Sequence, residues 1–412
     1  MKIKSIRQLK NLKNKTVLVR CDFDLPLRRQ RGTTRTSTRN NADKTIITDD
    51  SRLRAAVPTI KYLLQKGARV ILMGHLGRPA LTRRGRPGGK IVKEMSLVSV
   101  KERLEKILNK KINFTDIDEI LRLAPLAQDK LGKLVMLENL RFNPGEEKND
   151  PKFASKLAKL GDIYVNEAFA VSHRGAASVD VIKKFLPSYA GLNLEQEILH
   201  LSAVLNKPPK PLVAIIGGAK IETKLPVIKQ FMKTADYILI GGGVANNFLK
   251  IKGIDVKKSL VDEKYLGEAE KILKNVKCQM SNVKSMSKSK CQIIIPIDWQ
   301  VENKKILDIG PKTIWLFSGI IKKAKTIVWN GPMGYFEDRK FAMGTKKIAE
   351  AIFANKKARI VVGGGETAES ISELSDYQII KLSKNLFIST GGGAMLEYLG
   401  GKKLPGLERI VK

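Results

Sequence analysis

Val213-Ala214-Ile215-Ile216-Gly217-Gly218-Ala219-Lys220 places an unbroken apolar, β-branched run directly before a glycine turn and a helix-like stretch. A run apolar on both faces suits a strand covered on both sides by helices, as in a parallel sheet. The same unit recurs along the chain. Val17–Val19, Val70–Met73, Val135–Leu137 and Ile163–Val165 are the runs of the first half. Ile238–Ile240, Ile293–Ile295, Ile327–Trp329, Ile360–Val362 and Phe387–Ile388 follow in the second. Strands alternating with helices predict an α/β fold with parallel sheets. Ten units are too many for one compact sheet, so two Rossmann-like doubly wound domains are expected, joined by a hinge near residues 187–194.

Composition agrees and excludes other classes. The chain has 412 residues, 43% of them hydrophobic, which rules out a largely disordered protein. No apolar run approaches the ~18 residues of a membrane span, and Met1-Lys2-Ile3-Lys4 leads into no secretory core. Three Cys make no disulfide framework and no His/Cys cluster has metal-ligand spacing, so a cytoplasmic location without membrane attachment is expected. The charge is the unusual quantity: 76 Lys and Arg against 40 Asp and Glu give +36. Such a balance keeps nucleic acid open as a partner, though not as the main one; compositional drift and an anionic substrate explain it equally well.

Two segments break the pattern. Residues 28–42 carry Arg28, Arg29, Arg31, Arg35 and Arg39 with no acidic residue, and form a basic surface insert. Residues 281–290 are a Ser/Lys-rich loop between Cys278 and Cys291, which are not expected to pair in a reducing compartment.

Ligands of doubly wound folds sit beyond the carboxyl ends of the strands. Arg20, Asp22 and Asp24 follow the first run at a spacing of two, on one face of an extended chain. Charges there bind something or form a structural ion pair. Gly74-His75-Leu76-Gly77-Arg78-Pro79, Arg141 and His173-Arg174 follow three further runs, and Arg52 opens a helix that Asp49 or Asp50 could cap. A cation there opposes the helix dipole and needs another reason to be present. Together these side chains suit phosphate and carboxylate, which the guanidinium fork matches. The second half changes from arginine to glycine. Gly217-Gly218-Ala219-Lys220, Gly241–Gly243, Gly363–Gly365 and Gly391–Gly393 each sit between an apolar run and a helix-like stretch, with Lys224 one turn after Lys220. Glycines let backbone amides approach an anion at a helix N-terminus, so four such loops and two lysines indicate a polyphosphate. No G-x-x-x-x-G-K-[ST] occurs, while Gly363-x-Gly365-x-x-Ala368 fits the dinucleotide pattern only loosely and late in the chain.

Taken together, Val19–Pro26, Gly74–Pro79, Glu138–Phe142 with Pro144–Asp150, Gly217–Lys220, Val328–Gly334 and Ser389–Ala394 closely resemble the phosphoglycerate kinase family, in its order and over nearly the whole chain. The resemblance implies two domains facing across a cleft: residues 1–187 for 3-phosphoglycerate or 1,3-bisphosphoglycerate, and residues 188–399 for ADP or ATP with Mg2+. It also implies a tail, 400–412, that packs back on the first domain, and a monomer. The implied glycerate ligands are Asp22, Phe23, Asp24, Arg52, His75, Leu76, Gly77, Arg78, Arg141 and Arg174. On the nucleotide side they are Gly218, Ala219, Lys220, Lys224, Gly243, Gly310, Asn330, Pro332, Tyr335, Glu337, Gly364, Gly365, Glu366 and Thr367. Arg52, Lys220, Gly365 and Gly392 are implied at the phosphoryl group in flight, and Glu366 at the magnesium. The chain departs from the family pattern at Asp24, where Asn is usual, at Glu366 for Asp, and at Ala176 and Asn143, where His is common.

Overall fold

The computed structural model describes residues 2–30, 44–79, 94–123, 131–274, 278–279, 291–374 and 385–411. The basic insert beyond Gln30 and the loop 281–290 lie outside the described residues, so those two expectations have no structural counterpart here. The chain divides into two compact units, Met1–Gln196 with Lys403–Lys412, and Glu197–Lys402. The division falls inside the helix Leu192–Leu205 rather than at 187/188, and the returning tail starts at Lys403 rather than at 400. The first turn of that helix is held by unit 1, through Glu167, and its continuation by Thr390 of unit 2.

Unit 1 is built on a six-stranded sheet in the order β5-β6-β4-β1-β7-β8. Its strands are β1 (Thr16–Arg20), β4 (Arg69–Met73), β5 (Asn113–Thr115), β6 (Leu134–Leu137), β7 (Ile163–Asn166) and β8 (Ser188–Ala190). Every pairing in it is parallel. A short antiparallel hairpin, β2 (Leu27–Gln30) and β3 (Lys44–Ile47), stands apart. Val17, Val19, Val70, Leu72 and Met136 join the core with Leu53, Ile60 and Leu63 of the helix Ser51–Gln65. The order reverses at β1, which has β4 on one side and β7 on the other. Ligands bind at such a switch point. Arg20 is paired with both Met73 and Asn166, so the loops after the three strands leave the sheet at one level.

Unit 2 carries a seven-stranded sheet in the order β11-β12-β10-β9-β15-β16-β17. Its strands are β9 (Leu212–Ile216), β10 (Tyr237–Ile240), β11 (Cys278–Gln279), β12 (Gln292–Ile294), β15 (Thr326–Asn330), β16 (Arg359–Gly363) and β17 (Leu386–Ser389). All pairings are parallel. β13 (Trp299–Glu302) and β14 (Lys305–Ile309) form a separate antiparallel hairpin. Here the order reverses at β9. The register Ile216↔Asn330, Asn330↔Gly363 and Gly363↔Ser389 brings four strand ends to the same height. All ten apolar runs of the sequence fall on sheet strands. Among the described residues no helix is long and apolar enough to cross a membrane.

Candidate functional site

In unit 1 the ends of β1, β4, β6 and β7 surround a basic cavity of about 320 Å³, lined among others by Arg20, His75, Arg78, Arg141 and Arg174. Arg20 is its floor. Although it closes an apolar strand, it is only 1% exposed, because each arm has a partner. Nε donates to Ser178 Oγ at 2.8 Å, Nη1 to the Cys21 carbonyl, and Nη2 meets His75 Nδ1 at 2.7 Å. Ser178 in turn donates Oγ–H to Glu146 Oε1 at 2.6 Å and its amide to Oε2 at 3.0 Å. A buried carboxylate, hydroxyl and guanidinium thus form one satisfied chain, as burial of charge requires.

The contact with Arg20 decides the state of His75. A guanidinium only donates, so Nδ1 accepts and the imidazole proton sits on Nε2. Burial, then Arg20, Arg141, Arg174 and Arg52, hold His75 well below the usual pKa of 6.5, so the ring is neutral. Nε2 is buried without a hydrogen-bond partner. It is a neutral N–H donor held ready among arginines.

Asp22 and Asp24 hold Arg52. Its Nη1 lies 3.2 Å from Asp22 Oδ2 and donates to the Asp24 carbonyl at 2.8 Å. Burial raises the Asp22 pKa, and Arg52 and Arg20 oppose that rise. Asp24 Oδ1 accepts the Gly77 amide at 2.8 Å, and Oδ2 stands 3.8 Å from His75 Nε2. Only Oδ1 is hydrogen-bonded here, an acceptor that an amide would also supply, so nothing in the structure explains Asp where Asn is usual. Arg141 donates to the Gly77 carbonyl at 2.5 Å and pairs with Glu147 at 3.1 Å. Asp50 does not cap the helix of Arg52: its carboxylate takes Arg54 and Arg103, while Asp49 accepts the Ser51 amide. Phe23 and Leu76, also expected at the glycerate, are core residues, Phe23 filling the space where a side chain at Gly74 would lie, so it is their backbone rather than their side chains that can meet a ligand.

In unit 2 the glycine loops after β9 and β15 touch backbone to backbone. A Cβ at Gly331 would lie 2.3 Å from the Gly217 carbonyl carbon, and Gly331 has φ +92°, so only glycine fits. Gly217 and Gly218 amides donate to the Asn330 and Pro332 carbonyls at 2.8 Å each, and Gly242 to Met333 at 2.9 Å. The Gly218 amide is thus already used in tying loops together. Thr367, fully buried, accepts the Gly331 amide at 2.7 Å, and Gly310 packs on the Asp298 carboxyl. Thr367, Gly310 and Gly218 serve the scaffold in these contacts. Lys224 projects from the helix Ile221–Phe231 and donates to Asn330 Oδ1, whose Nδ2 reaches the Gly363 carbonyl at 2.6 Å. Burial lowers the Lys224 pKa to about 8, with Glu366 pulling it back up. Lys220, the N-cap residue of that helix, is exposed.

Beside these loops lies a cavity of about 390 Å³. Gly218, Ala219, Gly243, Pro332, Tyr335, Glu337 and Glu366 from the expected set line it. Gly364, Gly365 and Gly392 are not among its lining residues; Gly364 packs on Asn330. Its lining also includes the apolar Leu249, Leu260, Trp299, Ile306 and Leu307, together with Lys258 and Lys305. Sequence reasoning missed these residues, and also buried Asp308, raised to about 6 by burial while accepting the Gly344 and Ile309 amides. The one available signal was Asn246-Asn247, two adjacent amides inside a largely apolar helix. Among the described residues no group of three His, Cys, Asp or Glu could hold a metal alone.

Comparison with known proteins follows the same lines. The model of the family described as phosphoglycerate kinase matches residues 6–402. A phosphoglycerate kinase of Dictyoglomus turgidum is 42% identical over 409 residues, covering 96% of each chain. One from Coprothermobacter proteolyticus is 39% identical over 430 residues, covering 100% of this chain and 99% of its own. Among solved structures, phosphoglycerate kinase from Coxiella burnetii superposes with a TM-score of 0.78 at 32% identity, covering 99% of both chains.

Proposed function

The chain belongs to the phosphoglycerate kinase family and is a phosphotransferase with a carboxyl group as acceptor; from that premise we propose how its residues divide the reaction. The glycerate substrate's non-transferred phosphate enters the basic cavity of unit 1, taken by Arg78, Arg141 and Arg174 and by the His75 Nε2–H. The observation that carries this is the buried, unpartnered Nε2 of a neutral His75 among arginines. Asp22 and Asp24 aim Arg52 at the reacting end. Lys224, Lys220 and the loops at Gly364–Gly365 and Gly391–Gly393 take the nucleotide phosphates and the phosphoryl group in flight.

Magnesium fits this arrangement as a companion of the nucleotide. Glu366 supplies one exposed carboxylate on the cavity wall, and Mg2+ characteristically takes one or two carboxylates and completes its shell with phosphates and water. When bound, the ion neutralises charge shared between the phosphates. Phosphoryl transfer needs positioning and charge neutralisation more than proton transfer, and arginines, lysine and amides are groups of that kind. A reducing cytoplasm suits the buried free thiols Cys21 and Cys291, and a single chain is the working unit the resemblance implies.

The test is ATP formation from 1,3-bisphosphoglycerate and MgADP by the intact chain and by Arg52→Ala. Turnover by the intact chain is expected, and the variant should lose about 10²-fold or more in kcat, as for removal of a transition-state donor. A variant with unchanged kcat would take Arg52 out of that role. An intact chain that binds both substrates without turnover would sink the whole assignment.

A further inference from the structure

Ser178 is held on every polar atom and is fully buried. Its amide donates to Glu146 Oε2 at 3.0 Å, and its carbonyl accepts the Tyr164 hydroxyl at 2.8 Å. The amide of its neighbour Ala177 donates to the Glu146 carbonyl at 2.9 Å. The backbone is therefore anchored independently of the side chain. The hydroxyl alone faces Arg20, accepting Nε at 2.8 Å and donating its own proton to Glu146 Oε1 at 2.6 Å. Arg20 and His75 line the basic cavity of unit 1, whereas Ser178 is not among its lining residues.

That hydroxyl stands between a buried cation and a buried anion. In an interior of low dielectric a guanidinium and a carboxylate attract strongly and favour a direct, two-bonded pair. Here the Ser178 oxygen occupies the gap. Nε is satisfied one hydroxyl away from the carboxylate, and Nη2 reaches His75 Nδ1 at 2.7 Å. The guanidinium is a rigid plane, so the place where Nε is held decides where Nη2 points. Without the hydroxyl, Nε would lack an acceptor and Glu146 Oε1 a donor. Both losses are repaired if the guanidinium moves toward Glu146 and away from His75. Nδ1 would then face no obligatory donor, and the ring proton would be free to occupy either nitrogen.

We propose that Ser178 and Glu146 are positioning residues for the phosphate of the glycerate substrate. Glu146 takes the hydroxyl proton and so turns an oxygen lone pair toward Arg20. The hydroxyl spaces Arg20 from Glu146, and Arg20 keeps the His75 proton on Nε2, the nitrogen that donates to the phosphate. The proposal rests on the assignment of the unit 1 cavity to that phosphate.

Long-range proton–nitrogen NMR spectra of isotope-labelled histidine read the tautomer directly. The chain has three His, and the His75 signal is the one that disappears in His75→Gln. The intact chain should show a bare Nδ1 and a protonated Nε2. Ser178→Ala should show a mixture of the two tautomers, with 3-phosphoglycerate affinity lowered about 10-fold or more by calorimetry, the worth of one hydrogen bond to a charged group. ADP affinity, a property of unit 2, should not change. Ser178→Thr returns the hydroxyl and should restore both tautomer and affinity. Should the Ala variant fail to fold, Ser178→Cys keeps the volume with a poor acceptor and is read in the same way. A folded Ala or Cys variant that keeps the pure Nε2–H tautomer would overturn the proposal even if its affinity fell, because the residue would then be merely structural. A proton on Nδ1 in the intact chain would overturn it too. An intact chain that does not bind 3-phosphoglycerate would overturn the phosphate assignment and this proposal with it.

Discussion

A single proton separates Lys224 from the cation its position calls for. Burial favours the neutral amine and lowers its pKa to about 8. A bound polyphosphate favours the ammonium and raises that pKa. Binding therefore costs nothing in protonation while the lysine is already charged, below pH 8, and weakens as the pH climbs past it. ADP affinity should be flat just above neutrality and fall above pH 8, and Lys224→Met should bind weakly with that fall removed. Titrations at several pH values would check it; an unaltered alkaline fall in the variant would assign the proton elsewhere. His75 follows the opposite logic: burial, and then its surrounding arginines, keep the ring neutral near pH 7, so a hydrogen bond it donates there should not depend on its own titration.

The helix Leu192–Leu205 is held at each end of its first two turns by a buried carboxyl group. Glu167 accepts the Asn193 amide at 3.1 Å and the Leu194 amide at 3.3 Å, and takes the Thr59 hydroxyl at 2.6 Å. Its neighbour must be glycine, because a Cβ at Gly191 would lie 1.9 Å from Oε2. Burial raises the Glu167 pKa to about 8, above its ordinary 4.5. The folded state then holds a proton that the unfolded state releases, so this group's stabilisation is full below 4.5 and is lost as the pH rises through 8. Glu167→Gln has no such proton, so its melting temperature should gain on that of the intact chain between about pH 5 and 8; parallel melting curves would refute the linkage. None of this was legible in the sequence, where Glu167 is one acid after a strand and its partners lie 26 and 108 residues away. The strands were legible for the reverse reason: burial on both faces writes itself locally as Val and Ile. β5 and β8 escaped because Asn113, Ser188 and Tyr189 sit on edge strands, where pairing is one-sided and apolar runs are not needed. The arginine loops were visible by their type, but the buried relay that holds Arg20, through Ser178 to Glu146, joins stretches far apart in the chain and could not be read from either alone.

At the scale of the whole chain, most of the +36 charge is spread along the sequence, and only a few arginines converge on the basic cavity. A positive excess of this kind draws anions over long range without adding contacts. The chain's last residues have a more local task. Lys4 donates to the Ile410 carbonyl at 2.8 Å, and Ile3 bridges Val411. Leu404, Leu407 and Ile410 are buried in unit 1. Gly406 donates to the Ser172 carbonyl at 2.8 Å, and its own carbonyl accepts Asn166 Nδ2 at 3.0 Å, so the tail grips the loop that leads to Arg174. Lys183, buried, donates to the carbonyls of Pro405 and Glu408. Deleting residues 403–412 exposes three apolar side chains, worth ~1.5–3 kcal/mol each, and strips Lys183 of acceptors. A loss of at least about 4 kcal/mol is expected in denaturant unfolding of unit 1. Gly406→Ala is the milder probe, because its Cβ would meet the Ser172 Cα at 2.7 Å and push the loop. It should weaken 3-phosphoglycerate binding severalfold by calorimetry while leaving ADP binding, a property of unit 2, unchanged. Unaltered 3-phosphoglycerate affinity in a folded Gly406→Ala chain would mean that the tail stabilises unit 1 without positioning Arg174.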